Sequence, residues 1–303
     1  MNRLTLTLVT ALAPATWGTT YLVTTELLPV GHPLLAGLLR SLPAGLLAVL
    51  LARRLPHGSW WGKVLVLGAL NIGAFFPLLF LAAERLPGGV AAAVAGAQPL
   101  IVLGLGANVL GERVRPVSAA AAAVAGAAGV ALVVLGPAAA LDFWGLVAAL
   151  GGVTATGLGM ILTKRWGCPS GVGPVAYAGW QLTAGGLLLL PLTFVVEGPP
   201  PALDAGALLG YLWLATAGGI IAYTLWFRGI QRLPVIVPGL LALLSPIVAT
   251  LLGVLIAGES FTMVQVAGIL ITLAALVGGQ FAARPRGTPA TAVEQSAAPV
   301  AVR

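Results

Sequence analysis

Residues 85–112 of the chain are written a second time at 232–259. Arg85-Leu86-Pro87, Gln98-Pro99 and Gly111-Glu112 return as Arg232-Leu233-Pro234, Ser245-Pro246 and Gly258-Glu259, and a single shift of 147 residues superposes all three pairs. Each copy reads as an R-L-P turn, an apolar helix with a polar-Pro step in its middle, and a G-E stop. An internal repeat of this kind constrains the architecture before any single element is assigned.

Composition tells which solvent the repeats are built for. With 59% apolar and 8% charged residues and a mean hydropathy of +1.04, the chain is not a soluble domain, which carries roughly 25% charged residues. Forty-one Gly and twenty-two Pro suit membrane helices, where both are tolerated. A helix needs about 20 mostly apolar residues to cross a bilayer. Ten stretches meet that requirement: Leu4–Thr25, Pro33–Ala52, Trp60–Ala83, Gly88–Leu110, Pro116–Leu135, Phe143–Thr163, Gly173–Val196, Ala205–Phe227, Val235–Ala257 and Met263–Ala282. The expected fold is an all-α integral membrane protein of ten transmembrane helices. Met1-Asn2-Arg3 imitates the start of a signal peptide, but the apolar run continues to Val23 and reads as the first span. Residues 283–303, rich in Ala, Pro, Thr and Ser, read as a disordered cytoplasmic tail.

Lys and Arg favour the cytoplasmic side of a membrane. With the N-terminus inside, the inner links and tails hold Arg3, Arg53, Arg54, Lys63, Arg113, Arg115, Lys164, Arg165, Arg228, Arg232, Arg284, Arg286 and Arg303, while the outer links hold only Arg85. Both termini are then cytoplasmic, and the two R-L-P turns face opposite sides. Five helices per copy is an odd number, so the second copy enters the membrane upside down. The result is a five-plus-five inverted repeat, with copies at 1–138 and 139–282. Weaker echoes support it: Leu42-Pro43-Ala44-Gly45-Leu46 against Leu182-Thr183-Ala184-Gly185-Gly186, and Trp17-Gly18 against Thr156-Gly157.

Several function classes fall away. The basic residues are spread one or two per link, without the stripe that nucleic acid requires. One Cys168 excludes an internal disulfide, and with two His it argues against a zinc site. No metal and no cofactor is expected. The partners expected are the lipid bilayer and a small-molecule substrate, and the chain reads as a monomer.

An intramembrane charge is expensive and marks function by default. Arg40, seven residues inside the second span, is such a charge. Two readings are open: a guanidinium that grips a substrate carboxylate, or one that snorkels outward or caps helix carbonyls. By the local match around Ala44-Gly45 and Ala184-Gly185, its counterpart in the second copy is Trp180. The steps Gln98-Pro99 and Ser245-Pro246 kink their helices, because Pro99 and Pro246 each remove a backbone hydrogen bond. Matching breaks in two repeats point to a transport site, although Gln98 and Ser245 could simply bond a neighbouring helix. Trp17, Tyr21, Asn71, Phe75, Phe76, Trp180, Gln181, Tyr223 and Trp226 add aromatics and amides at depth, suited to amphipathic molecules. Trp60, Trp61, Trp144 and Trp166 sit at helix ends and read as interface anchors, a reading open to Trp226 too. The rows Ala121, Ala125, Gly129 and Ala92, Gly96 read as close helix packing.

These features together resemble the EamA-type members of the drug/metabolite transporter superfamily. Trp17-Gly18, Arg40 after Pro33, and the doubled R-L-P, polar-Pro and G-E elements carry the resemblance, over about residues 4–282. It implies an alternating-access carrier in the bacterial inner membrane, with a substrate cavity between the halves. Within that family the amino-acid and metabolite exporters are closest in length and topology, with drug or other metabolite efflux as the alternative. The chain is not expected to be an enzyme, since His32 and His57 lie in links and the acids near helix ends. A non-transporting scaffold or sensor would want a sealed apolar interior, against which Arg40, Asn71, Gln98 and Gln181 speak.

The topology has a direct test. Single cysteines at Gly88 and Pro234, in a Cys168→Ala background, should react with an impermeant thiol reagent from opposite sides. Labelling of both from the same side would sink the inverted repeat.

Overall fold

The computed structural model describes residues 2–85, 98–110, 116–134, 142–257 and 262–282, and among these every regular element is helical. The first copy holds α1 (Arg3–Leu27), α2 (Pro33–Ala52), α3 (Trp60–Gly68), α4 (Phe75–Arg85), α5 (Gln98–Leu110) and α6 (Pro116–Val134). The second holds α7 (Phe143–Trp166), α8 (Pro174–Val196), α9 (Ala205–Ala215), α10 (Ala222–Arg232), α11 (Ile236–Leu241), α12 (Leu244–Ala257) and α13 (Met263–Ala282). Among the described residues, five spans are long and apolar enough to cross a membrane on their own: Pro33–Ala52, Trp60–Leu79, Phe143–Trp166, Pro174–Val196 and Ala205–Arg232. Residues 88–97 of the fourth expected span, both G-E stops and the tail lie outside the described residues.

Two spans are interrupted in the same way. A π-helical turn, Ala69–Gly73, joins α3 to α4, and another, Thr216–Ile221, joins α9 to α10. Their first residues are 147 apart, the shift already seen in the sequence. A third interruption lies between α11 and α12. There Pro246 has no N–H to give the Ala242 carbonyl, and the Ser245 N–H bonds that carbonyl at 3.2 Å instead.

The helix starts show what the acids do. Asp142 and Asp204 each accept from the backbone N–H three residues on, Gly145 and Ala207, both at 2.7 Å. The Glu197 carboxylate, at the end of α8, reaches across to the start of α2. It accepts from the N–H groups of Leu34 and Leu35, the latter at 2.9 Å. First-turn N–H groups have no intrahelical partner and carry partial positive charge, so these carboxylates are held where they stabilise the helices. Arg85 and Asp142 add a surface ion pair at 3.8 Å.

The copies meet through small residues. α2 packs on α8, and α6 on α13. Gly45 lies against Thr183, Gly186 against Leu42, and Gly179 against Ala48, where a Cβ would stand within 2.8 Å of the last two. Gly129, from the small-residue row on α6, lies likewise against Gly268 and Thr272 on α13. Between α1 and α12, Gly18 lies on Val248; between α7 and α5, Gly157 lies on Ile101. The contacts of Gly45 and Gly186 are counterparts of one another in the two copies, as are those of Gly18 and Gly157. In lipid no hydrophobic force drives helices together, so close van der Waals approach through small residues has to serve. Large apolar side chains such as Leu47, Leu50, Leu51, Leu65, Leu208 and Leu212 point outward, as a lipid-facing surface requires.

The crossing can be tested where it is tightest. Gly186→Val would press a side chain into Leu42, an overpacking that costs about 1–3 kcal/mol, and should lower the melting temperature in detergent by several degrees. Gly278→Ala, where a Cβ meets nothing within 4 Å, should not. Equal melting of the two variants would contradict the crossing.

Candidate functional site

The site grows from the second π-turn. A π-turn carries an extra residue and shifts the helix's hydrogen-bond register, and such turns recur at functional positions. Here the Gly218 carbonyl accepts from two side chains of the first copy, Trp17 Nε1 at 2.9 Å and Arg40 Nη2 at 3.3 Å. Arg40 is 7% exposed, so it does not snorkel. It combines the carbonyl-capping contact with a buried position between the copies. Its guanidinium carbon stands 5.4 Å from the centre of the Phe76 ring, within cation–π range. The Trp17 ring packs at 5.0 Å from Tyr223 and 5.2 Å from Trp226, and Phe75 lies 5.6 Å from Phe76. Trp17, Arg40, Phe75, Phe76 and Tyr223 thus form one aromatic-walled group. Trp226, 6% exposed, belongs to it rather than to the membrane interface.

The first π-turn holds the matching arrangement. Asn71 stands 147 residues before Gly218, and its Nδ2 donates to Gln181 Oε1 at 2.8 Å, both side chains being buried. Gly159 on α7 leaves room for the Asn71 amide. The packing of α2 on α8 corrects the counterpart of Arg40. Gly45 on Thr183 and Leu42 on Gly186 exchange under a shift of 141, which sets Gln181, not Trp180, opposite Arg40. Register between crossing helices follows from which small residues interlock, and the short sequence echo was one residue out. In each copy, then, a polar side chain of the second span reaches the π-turn of the other copy at the same position.

Trp180 lies elsewhere. Its indole donates to the Arg54 carbonyl at 2.7 Å, and its ring packs 6.4 Å from Trp60. Trp60, expected as an interface anchor, is 8% exposed and stacks against Tyr177 as well, while Trp61 and Trp144 are exposed. Successive ring contacts run from Trp17 through Tyr223, Phe227 and Tyr177 to Trp60 and Trp180. A column of six aromatic rings therefore joins the Arg40 group to the Arg54 link. At its far end Lys164 Nζ donates to the carbonyls of Gln231 and Leu233 at 3.0 and 2.6 Å, a cation closing the C-terminus of α10.

Gln98 Nε2 reaches to 3.5 Å of Thr156 Oγ1, and Pro99 lies against Gly239. Ser245 turns its backbone carbonyl toward Gly18. The side chain of Tyr21 lies outside the described residues. Among the described residues no three His, Cys, Asp or Glu side chains group as a metal site would require. Sequence reasoning passed over Gly218, although a Gly-Gly pair in mid-span, 147 residues after Asn71, was its signal.

The chain is similar to known proteins over nearly its whole length. The model of the EamA-like transporter family matches it twice, at residues 5–135 and 143–278. Protein PecM of Dickeya dadantii (strain 3937) is 44% identical over 265 residues, 88% of this chain and 89% of that protein. The uncharacterized inner membrane transporter YedA of Escherichia coli (strain K12) is 29% identical over 275 residues, 86% of each. A protein of known crystal structure shares the fold with a TM-score of 0.78 at 23% identity, over 93% of this chain and 98% of its own. With two family matches, one for each copy of its own repeat, this chain belongs to the EamA-like transporter family of the drug/metabolite transporter superfamily: it is a membrane transporter.

Proposed function

We propose that the protein exports amino acids or related metabolites across the bacterial inner membrane by alternating access. The transporting body is two inverted five-helix halves, residues 1–138 and 139–282, with both termini cytoplasmic and residues 283–303 a tail. The 147-residue repeat, the two π-turns at that same spacing and the exchanged contacts of α2 with α8 support the pairing of halves. Substrate lies in a central cavity between them, walled by Trp17, Tyr21, Phe75, Phe76, Tyr223 and the amides Asn71, Gln98 and Gln181, with Ser245 at the second kink. Trp180 acts at the end of the aromatic column instead.

The observation that carries this reading is Arg40: a cation buried between the copies, on a backbone carbonyl and an aromatic face. A guanidinium out of water attracts a carboxylate strongly. Arg40→Ala should impair transport of amino acids far more than of their carboxamides. The charge-assisted bond contributes about 1.5–3 kcal/mol, or roughly ten- to hundred-fold in apparent affinity. Equal losses for both substrate types, with a lower melting temperature, would assign Arg40 to structure alone.

The energetics follow from the acids. Proton-coupled carriers use groups at membrane depth that gain and lose protons. Of the acids whose side chains are described, Asp142, Asp204 and Glu197 serve helix N-termini and Glu26 is exposed near the end of α1, while an arginine such as Arg40 does not give up its proton. Movement is therefore downhill, without obligatory proton coupling. Proteoliposomes with equal substrate on both sides and an imposed pH gradient should show exchange but no accumulation. Accumulation abolished by a protonophore would refute this.

A further inference from the structure

We infer that Trp17 positions Arg40 for a carboxylate by holding the Gly218 carbonyl in its place when the guanidinium turns to substrate. The inference rests on the reading of Arg40 given above. Two N–H groups converge on one oxygen, and their lengths rank them. Trp17 Nε1, at 2.9 Å, makes a bond of ordinary length. Arg40 Nη2, at 3.3 Å, lies just beyond the usual range of about 2.7–3.2 Å. Of the two bonds to this oxygen, the one from Arg40 is the longer and the more easily given up.

Withdrawing it has a cost that Trp17 removes. A buried carbonyl stripped of its donors loses its desolvation compensation, a penalty large compared with the net value of one hydrogen bond. With the indole in place, the Gly218 oxygen keeps its shorter bond while the guanidinium moves. The indole does not follow, because Tyr223 and Trp226 hold its ring at 5.0 and 5.2 Å. Carboxylate binding thus loosens the tie from α2 to the second π-turn and leaves the tie from α1 intact. Among the described residues, the first π-turn shows no such pair of donors on one carbonyl. Asn71 and Gln181 form a one-to-one amide pair, and Trp17 is replaced there by Thr156. Release by substrate is accordingly a property of the Arg40 end alone.

The test is a double-mutant cycle in proteoliposomes. The probe is the amino acid taken up fastest in a panel of amino acids, with its carboxamide as the neutral control. Trp17→Phe keeps a ring and deletes the N–H. It should raise the KM for the carboxylate by roughly five- to hundred-fold more than the KM for the carboxamide, which reads the part of Trp17 as a cavity wall. In an Arg40→Ala background the same substitution should affect both substrates alike, because the selective part acts through Arg40. Should Trp17→Phe fail to fold, benzothienylalanine at position 17 keeps both rings and removes only the N–H. The same preference for the carboxylate loss in both backgrounds, or an equal loss for both substrates in the native background, would overturn the inference and leave Trp17 as a cavity wall or packing residue alone. A loss confined to Arg40→Ala, with Trp17→Phe silent, would overturn it too while leaving the proposed function standing. A panel in which no amino acid is transported would remove both.

Discussion

The Gly218 carbonyl is the joint on which the rest of the site depends. In a membrane, backbone groups must find partners within the protein, since lipid offers none. A π-turn disturbs the helix's own accounting of those partners, so it persists only where neighbouring side chains engage it. Trp17 and Arg40 do so at Gly218. Asn71, itself in the first π-turn, turns outward to Gln181. Each irregular turn is thereby fastened to the opposite copy, and the irregularity and the contact between copies are parts of one solution.

The equivalence is geometric and not chemical. Position 71 carries an amide where position 218 has only a backbone, and Arg40 stands where the other copy has Gln181. One end is a neutral amide pair, in which the Gln181 Nε2 stays buried without a partner among the described residues. The other holds a permanent cation beside aromatic faces.

The aromatic column gives that asymmetry a direction. Tyr223, Phe227, Tyr177, Trp60 and Trp180 are all under a tenth exposed, and they carry close ring packing from the Arg40 group to the Arg54 link. The contact between α2 and α9 away from this end is built from Ala36, Ala207, Tyr211 and Leu214. Rings bury far more area than alanine methyls, and offset or edge contacts add to that area.

Hydrophobicity and repetition determined much of this protein without any tertiary information. The 147-residue shift, the apolar spans, the break before Pro246 and the depth of Arg40 are local or periodic properties, and lipid solvent makes them readable because an apolar run of sufficient length has few alternatives. The family also follows from motifs that stand in the chain as written. Tertiary structure decided what depends on two helices meeting. Glycine interlock set the register that makes Gln181, and not Trp180, the partner position of Arg40. Packing buried Trp60, which by sequence differs little from the exposed Trp61. The 147-residue shift from Asn71 marks the position of Gly218, but not its role, which lies in a backbone oxygen and in which side chains of the other copy arrive there.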